Sequence, residues 1–519
     1  MTGSKCAALL RKVEEGFARY NLQLFLLCLA MFLVWATKSA MHKAFWFDEW
    51  LGLKVATAPT LSNLYERLRS PIDLNPPLYH LYERLVVKAF GFSAFVFRLP
   101  ALIGFTVYLC CIYGYFSRRF PGRGYGLLAM LLAVSGEAVE YAWEGRPYGV
   151  ALGLAGISVW AYFRWVDDRK ARWLFVLFGA FLCLPLNHYF GVLIPPVIFF
   201  AELVRGYRAK KQSWVALSVM VVAPTIGLAS IVPLLLGQRG SMGHYLYSGT
   251  WSSFTFGYEV TGLPAWVTCL ALGSWVVGLW LAADGGKEAV TPEAREEIRP
   301  EELVVAVGFL ALPLICSFLC VLTHAYLPRY FLTSSVGFVM TACYGIHVAS
   351  KNRRGTYVLV SAVLLLGLVS HVVSRGQTHG VFAVDVPHSG NPVVFQSRND
   401  YVAAEVAHPD KKQSIYTVVN QRIGMELTGS DMQDLLVANV ERYVPENIIA
   451  LDDLRRISPK WTVVAGQSGW LVTCLQLSGY PVELAGEARD YLGYKQPVFN
   501  VDLTSPSGHD LLNCGKNGK

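Results

Sequence analysis

Residues 22–51 read LQLFLLCLAMFLVWATKSAMHKAFWFDEWL. The run from Leu22 to Thr37 is apolar and approaches the about 20 helical residues that a hydrocarbon core of roughly 30 Å requires. An adjacent acid pair, Asp48 and Glu49, follows it among aromatic residues. No small-residue cleavage site comes after the run, so an uncleaved first span leading into an acidic motif is predicted. Before it, Lys5 to Tyr20 places charges on one helical face and Ala, Leu, Val and Phe on the other, which predicts an interfacial helix.

Runs of the same kind recur at roughly 95–116, 124–141, 146–163, 173–187, 189–204, 214–236, 263–283, 303–323, 329–349 and 355–374, which makes about eleven spans in all. Composition agrees. Of 519 residues, 54% are hydrophobic and 16% charged, against about 25% charged in ordinary globular chains, which excludes a soluble protein. Placing the N-terminus in the cytoplasm puts Arg118, Arg119 and Arg123 on one side together with Arg164, Arg169, Lys170 and Arg172. Arg205, Arg208, Lys210 and Lys211 join them, as do Lys351, Arg353 and Arg354, as the positive-inside rule requires. The net charge of +8 therefore reflects topology and not a nucleic-acid partner.

The opposite side receives a long first loop (about 38–94), turns near Glu144, His188 and Arg329, a loop at about 237–262, and everything after Arg375. The expected organisation is a transmembrane domain over 1–374 and an extracytoplasmic soluble α/β domain over 375–519. In the first loop, Asp48 to Ala58 and Leu61 to Arg69 show amphipathic helical spacing and are expected to lie along the membrane surface. Further on, Ser414 to Val419 and Trp461 to Ala465 read as strands, Arg398 to Ala407 and Gly469 to Ser478 as helices. Most of the 11 cysteines lie inside apolar runs as small hydrophobes. Cys474 and Cys514, the two of the outer domain, are a disulfide candidate in a compartment that is oxidising in many cells.

An ionisable side chain near the bilayer centre costs at least ~2.5–3.5 kcal/mol and needs a partner. Charged groups at span ends are therefore informative. Six clusters fall on the side of the acidic pair: Phe47-Asp48-Glu49, Asp73-Leu74-Asn75-Pro76-Pro77-Leu78-Tyr79, Arg98-Leu99-Pro100, Glu144-Gly145-Arg146-Pro147-Tyr148, Asn187-His188-Tyr189-Phe190 and Pro328-Arg329-Tyr330-Phe331.

In this order and spacing, the clusters resemble the C-type membrane glycosyltransferases, in particular the protein O-mannosyltransferases, the lipid A aminoarabinose transferases and their bacterial relatives. The resemblance runs over about residues 20–350. It implies a polytopic helical fold and inverting transfer of a hexosyl or pentosyl group from a polyprenyl-phosphate carrier. It also implies an extracytoplasmic active site, and a bacterial inner membrane is the expected location. The chain departs from the pattern at Asn75, where relatives often have His, and at Leu74-Asn75, where the aminoarabinose transferases have Glu-Lys. The reading requires no cofactor, and a divalent metal stays open.

The chemistry supports named roles beside the resemblance. An acceptor hydroxyl attacks the sugar C1 through an oxocarbenium-like state while phosphate leaves. A phosphate with a second pKa of about 6 leaves without protonation. The site thus needs one base and fixed positive charge. Asp48 is the base candidate, with an N-cap or a solvated loop carboxylate as its bland reading. Glu49 has a supporting role, and Asp73 is either catalytic or a turn residue. Arg329, Arg146 and Arg98 suit a donor phosphate through their planar forks, against snorkelling as the alternative. Glu144 either orients or neutralises Arg146. His188 meets acceptor or phosphate, or is a satisfied structural residue. Tyr330 stands with the donor-phosphate arginines, and Tyr148 and Asn75 are further active-site candidates, with packing as the alternative for both tyrosines.

The partners expected are a polyprenyl-phosphate sugar donor, an acceptor lipid, glycan or protein, and the membrane. A transporter or flippase for a lipid-linked sugar is the competing reading, but it gives the long acidic first loop no purpose and predicts pseudo-repeats that are not seen. A receptor-like sensor leaves the six clusters unexplained.

Overall fold

The computed structural model describes residues 15–16, 19–242, 297–315, 327–350, 384–423, 432–466 and 469–504. Helix α1, Asn21–His42, carries the first apolar run and stops where Lys43 turns extended. Three shorter helices follow: α2 (Phe47–Ala56), α3 (Leu61–Arg69) and α4 (Pro77–Phe90). Thr60 caps α3 by accepting the Asn63 N–H. Pro77 begins α4, where its missing N–H costs nothing. The bundle continues with α5 (Ala94–Arg119), α6 (Tyr125–Ser135), α7 (Tyr148–Asp168), α8 (Ala171–Asn187), α9 (Ile194–Arg208), α10 (Trp214–Met242), α11 (Pro300–Leu310) and α12 (Ser334–Ser350).

Among the described residues, 5 helical stretches are long and apolar enough to cross a membrane: Asn21–His42, Ala94–Arg119, Tyr148–Asp168, Tyr189–Arg208 and Trp214–Arg239. The expected spans 263–283 and 355–374 lie outside the described residues, as do the end of 303–323 and most of the Lys5 to Tyr20 segment. The expected span 124–141 is not one helix. The extended backbone of Gly136 ends α6, and Glu137–Ala142 continues as a 3-10 helix. Helix α10 also runs to Met242, so the expected loop from 237 begins later.

Close approach of backbones ties α5 to α7. A Cβ on Gly149 would stand 2.3 Å from the Ala101 carbonyl oxygen, and one on Gly153 would stand 2.5 Å from that of Gly104. Small residues let membrane helices pack at such distances. Every residue of α6 from Tyr125 to Val134 is buried, as expected of a helix apolar on all sides.

The expectation that Asp48 to Ala58 is amphipathic is corrected. Most of α2, including Trp50, Leu51, Val55 and Ala56, is buried. Its apolar residues run around the whole helix, and the C-terminal region covers the side that the bundle leaves open.

That region is a six-stranded sheet in the order β3-β2-β1-β4-β6-β5. The strands are β1 Val393–Phe395, β2 Ile415–Val419, β3 Ile448–Ala450, β4 Lys460–Val464, β5 Val482–Arg489 and β6 Lys495–Asp502. The first four pair in parallel and the last two add antiparallel. Helices α13 (Arg398–Ala407), α14 (Met432–Glu441) and α15 (Trp470–Leu477) accompany it. Cys474 on α15 is disulfide-bonded, and Cys514, its expected partner, lies outside the described residues.

Candidate active site

Helix α2 begins directly after the extended link from α1, which places Asp48 and Glu49 in its first turn, where the helix dipole favours acids. The two carboxylates then diverge. Glu49 and Arg98 are both 0% exposed. Arg98 donates Nε to Glu49 Oε1 at 2.7 Å and Nη2 to Oε2 at 2.6 Å. Its remaining donors go to the carbonyls of Ala40, Lys43 and Ala44 at 2.8, 2.8 and 3.0 Å. A guanidinium has five N–H groups, so Arg98 keeps none for a ligand. Glu49 also accepts the Gly145 N–H at 2.6 Å. A Cβ on Gly145 would sit 2.5 Å from the Phe97 ring, so only glycine brings that amide to Glu49.

Asp48 turns the other way. Its Oδ2 accepts Arg329 Nη2 at 2.6 Å, with side chains 20% and 22% exposed respectively. Arg329 sits on the 3-10 helix Pro328–Phe331 that leads into α12, and its guanidinium carbon lies 5.3 Å from the Trp46 ring centroid. The Arg329 Nε is buried without an acceptor.

Arg146 links the first-loop motifs. It donates to the Asp48 carbonyl at 2.8 Å and to Asp73 at 2.6 and 3.4 Å. Asn75 donates to Asp73 Oδ1 through its side chain at 2.6 Å and its backbone at 3.2 Å. Behind Asp73, His80 Nε2 stands 3.8 Å from its Oδ2, and His80 Nδ1 is 3.0 Å from Glu83 Oε2. Burial works to raise the Asp73 carboxyl, but the Arg146 and His80 charges outweigh it and hold it below the ordinary value. Burial lowers His80 to about 4 and pushes Glu83 well above the usual carboxylate range.

Both Asp73 oxygens therefore face cationic or N–H donors, which does not fit a metal ion. Among the described residues, no group of three His, Cys, Asp or Glu fits one either.

Rings close the site. His188 lies 5.4 Å from Tyr148 and 5.3 Å from Tyr330, and Phe190 stacks on Tyr330 at 5.1 Å. With Arg329 they line a small cavity. Asn187 braces the turn by donating to the Pro147 carbonyl at 3.0 Å. Glu144 is placed differently from the expectation: its carboxylate pairs with Lys43 and not with Arg146. This follows from the backbone, because the Arg146 N–H folds back onto the Glu144 carbonyl and sends the two side chains apart.

The structure thus gathers Asp48, Asp73, Asn75, Arg146, Tyr148, His188, Arg329 and Tyr330. It seals Glu49 and Arg98 beside them. Sequence reading missed Trp46, His80 and Glu83. The last two stand three residues apart on a helix that begins at a double proline, a spacing that puts them on one face.

The fold and site define a polytopic membrane protein in which a partly exposed carboxylate pairs with an arginine that keeps an unused donor and lines a cavity. Residues 74–236 match the family model described as dolichyl-phosphate-mannose-protein mannosyltransferase. That match covers less than half of the chain, and over it the resemblance to the C-type membrane glycosyltransferases is shown. None of the curated proteins matches. Among solved structures the chain is similar to ArnT from Cupriavidus metallidurans bound to undecaprenyl phosphate, at 12% identity over 93% of this chain and 99% of that one, with a TM-score of 0.41. It is similar to the same protein in the apo state at 13% identity over 92% and 97%, TM-score 0.41. The Archaeoglobus fulgidus oligosaccharyltransferase in complex with zinc and sulfate is similar at 11% identity over 90% and 72%, TM-score 0.33.

Proposed function

We propose that the protein transfers a sugar from a polyprenyl-phosphate donor to an acceptor hydroxyl, with inversion, on the extracytoplasmic side of the membrane. The observation that carries this is the Asp48–Arg329 pair, whose arginine lines the cavity. A donor phosphate takes the Arg329 fork, including the Nε donor that lacks an acceptor. That exchange frees the Asp48 carboxylate for the acceptor.

The acceptor oxygen then bonds to C1 as the C1–O bond to phosphate breaks, and the hydroxyl proton passes to Asp48. Polyprenyl phosphate leaves with the electron pair, and Arg329 holds its increased charge. Arg146 supports the step from behind by fixing the Asp48 backbone carbonyl and the Asp73 carboxylate. His188, Tyr148 and Tyr330 shape the sugar pocket. The acceptor is a lipid, glycan or protein hydroxyl.

In this reading the N-terminus is cytoplasmic and the site and C-terminal sheet region lie outside, in a bacterial inner membrane; the basic segments between spans support that orientation. The test is incubation of the full-length protein in lipid nanodiscs with radiolabelled polyprenyl-phosphate sugars and acceptors of each class. Transfer is expected from at least one donor. Silence across every pairing would overturn the reading.

A further inference from the structure

Helix α2 starts with only one arm of a capping box of its own: Glu49 Oε2 accepts the Trp46 N–H at 3.4 Å. Trp46 stands at its N-cap position with no side-chain acceptor for the first free N–H groups, four of which every helix leaves unpaired. The acceptor arrives from far along the chain: Asn399 Oδ1 accepts the Phe47 N–H at 3.0 Å. Asn399 is the second residue of α13, whose own N-terminus is capped by Ser397, and it hydrogen-bonds Tyr491 as well. Further contacts follow along α2. Trp50 Nε1 donates to Glu405 at 3.0 Å, and Lys54 pairs with Glu446 and, at 3.6 Å, with Glu405. The same region also reaches the second acidic motif. Asn439 donates to the Pro71 carbonyl at 3.4 Å, and Tyr443 meets Ser70 at 2.6 Å.

We propose that Asn399 is a positioning residue that caps the catalytic helix in trans, so that the C-terminal sheet region sets the direction of the Asp48 carboxylate. The donor of this bond belongs to the residue immediately before Asp48. Without it, the Phe47 N–H loses its acceptor and the start of α2 loosens on the side of Asp48, whose carboxylate shifts from the line between Arg329 and the acceptor. Misplacement of a reacting group by about 1 Å costs on the order of 10²-fold in rate. The capping bond does not touch the donor, so its loss acts on turnover and not on donor binding. This inference rests on the reading of Asp48 as the base.

The test uses full-length Asn399→Ala and Asn399→Asp in nanodiscs, with hydrogen exchange and with kinetics on whichever radiolabelled polyprenyl-phosphate sugar supports transfer. For Asn399→Ala, exchange over residues 46–50 is expected to rise while the sheet strands stay protected, and kcat to fall about tenfold to a hundredfold with donor KM nearly unchanged. Asn399→Asp keeps the acceptor atom and is expected to restore both. Unchanged exchange at 46–50, a rise spread over the whole C-terminal region, or unaltered kcat would overturn the proposal. If Asp48→Asn transfers normally while Asn399→Ala still exposes 46–50, the catalytic reading fails and the seating of α2 stands.

Discussion

Arg329 Nη2 stands 2.6 Å from Asp48 Oδ2, across 281 residues of sequence. A partly exposed ion pair of this kind contributes only about 0–1 kcal/mol. Meanwhile the Arg329 Nε is buried without an acceptor, and such a group costs roughly 1–3 kcal/mol. The contact is therefore a poor device for stability and a good one for ligand exchange. Arg98 offers the contrast, because its donors all have partners on Glu49 and backbone carbonyls. One arginine is finished as a structural element, and the other is incomplete beside a cavity.

Arg329→Lys keeps the charge and loses the fork. Hydrogen bonds to charged groups are worth roughly 1.5–3 kcal/mol, so donor KM is expected to rise about tenfold to a hundredfold in steady-state assays. An unchanged KM would return the phosphate to Arg146, whose buried Nε also lacks an acceptor.

Most of this site is legible in the ordered short motifs of the sequence. Apolar runs give the bundle, and acids and arginines at their ends are too costly to be there without partners. Which partner each charge takes is not legible there. Glu49 and Asp48 are neighbours, yet the helical turn sends one to Arg98 and the other to Arg329. Likewise Asp48 to Ala58 has helical spacing, but its burial depends on a sheet built from residues after 392. Asn399 is invisible in the sequence for the same reason: a cap in trans leaves no local pattern.

His80 supplies a pH signature. Its ring has a folded-state pKa of about 4, against about 6.5 in an unfolded chain. Above pH 6.5 the ring is neutral in both states. As pH falls from there toward 4, the unfolded chain binds a proton that the folded protein refuses, so His80 subtracts stability over that window. Glu83 acts with the opposite sign, since its raised carboxyl keeps its proton in the folded state. Asp73, held low by Arg146, adds stability that is lost only at lower pH still, as pH falls through its folded value. Comparison with a variant isolates the ring. The Tm of wild type minus that of His80→Gln is expected to be largest above pH 6.5 and to shrink as pH drops to about 4. A difference that stays constant from pH 7.5 to 4.5 would remove His80 from the account.

The α5–α7 crossing makes a prediction about packing. Gly149→Val places atoms where the Ala101 carbonyl oxygen would lie 2.3 Å from its Cβ, and overpacking of this kind costs typically 1–3 kcal/mol or more. Gly179→Ala on α8 is the control, because nothing lies within 4 Å of its added Cβ. Size-exclusion profiles in detergent are expected to show loss of the monodisperse peak for Gly149→Val only. Equal behaviour of the two variants would mean that these helices separate more easily than their spacing indicates.

The sharpest prediction concerns Asp48. In the proposed step this carboxylate takes the acceptor's proton as C1 leaves phosphate, and its position satisfies two demands at once. It is partly exposed and held against the arginine that lines the cavity, where an acceptor can reach it. It also sits against Arg329, so its charge is balanced until the donor phosphate claims that arginine. Asp73 meets neither demand, being buried and held by Arg146 and Asn75. Glu49 is sealed with Arg98. Asp48→Asn keeps shape and an oxygen for Arg329, but it cannot accept the proton, and general-base catalysis typically contributes about 10²–10⁴-fold. The variant is expected to fold, insert and bind donor like wild type, while kcat falls by about that factor. Transfer at the wild-type rate would exclude Asp48 as the base, and joint loss of donor binding and turnover would make it a holder of Arg329 instead.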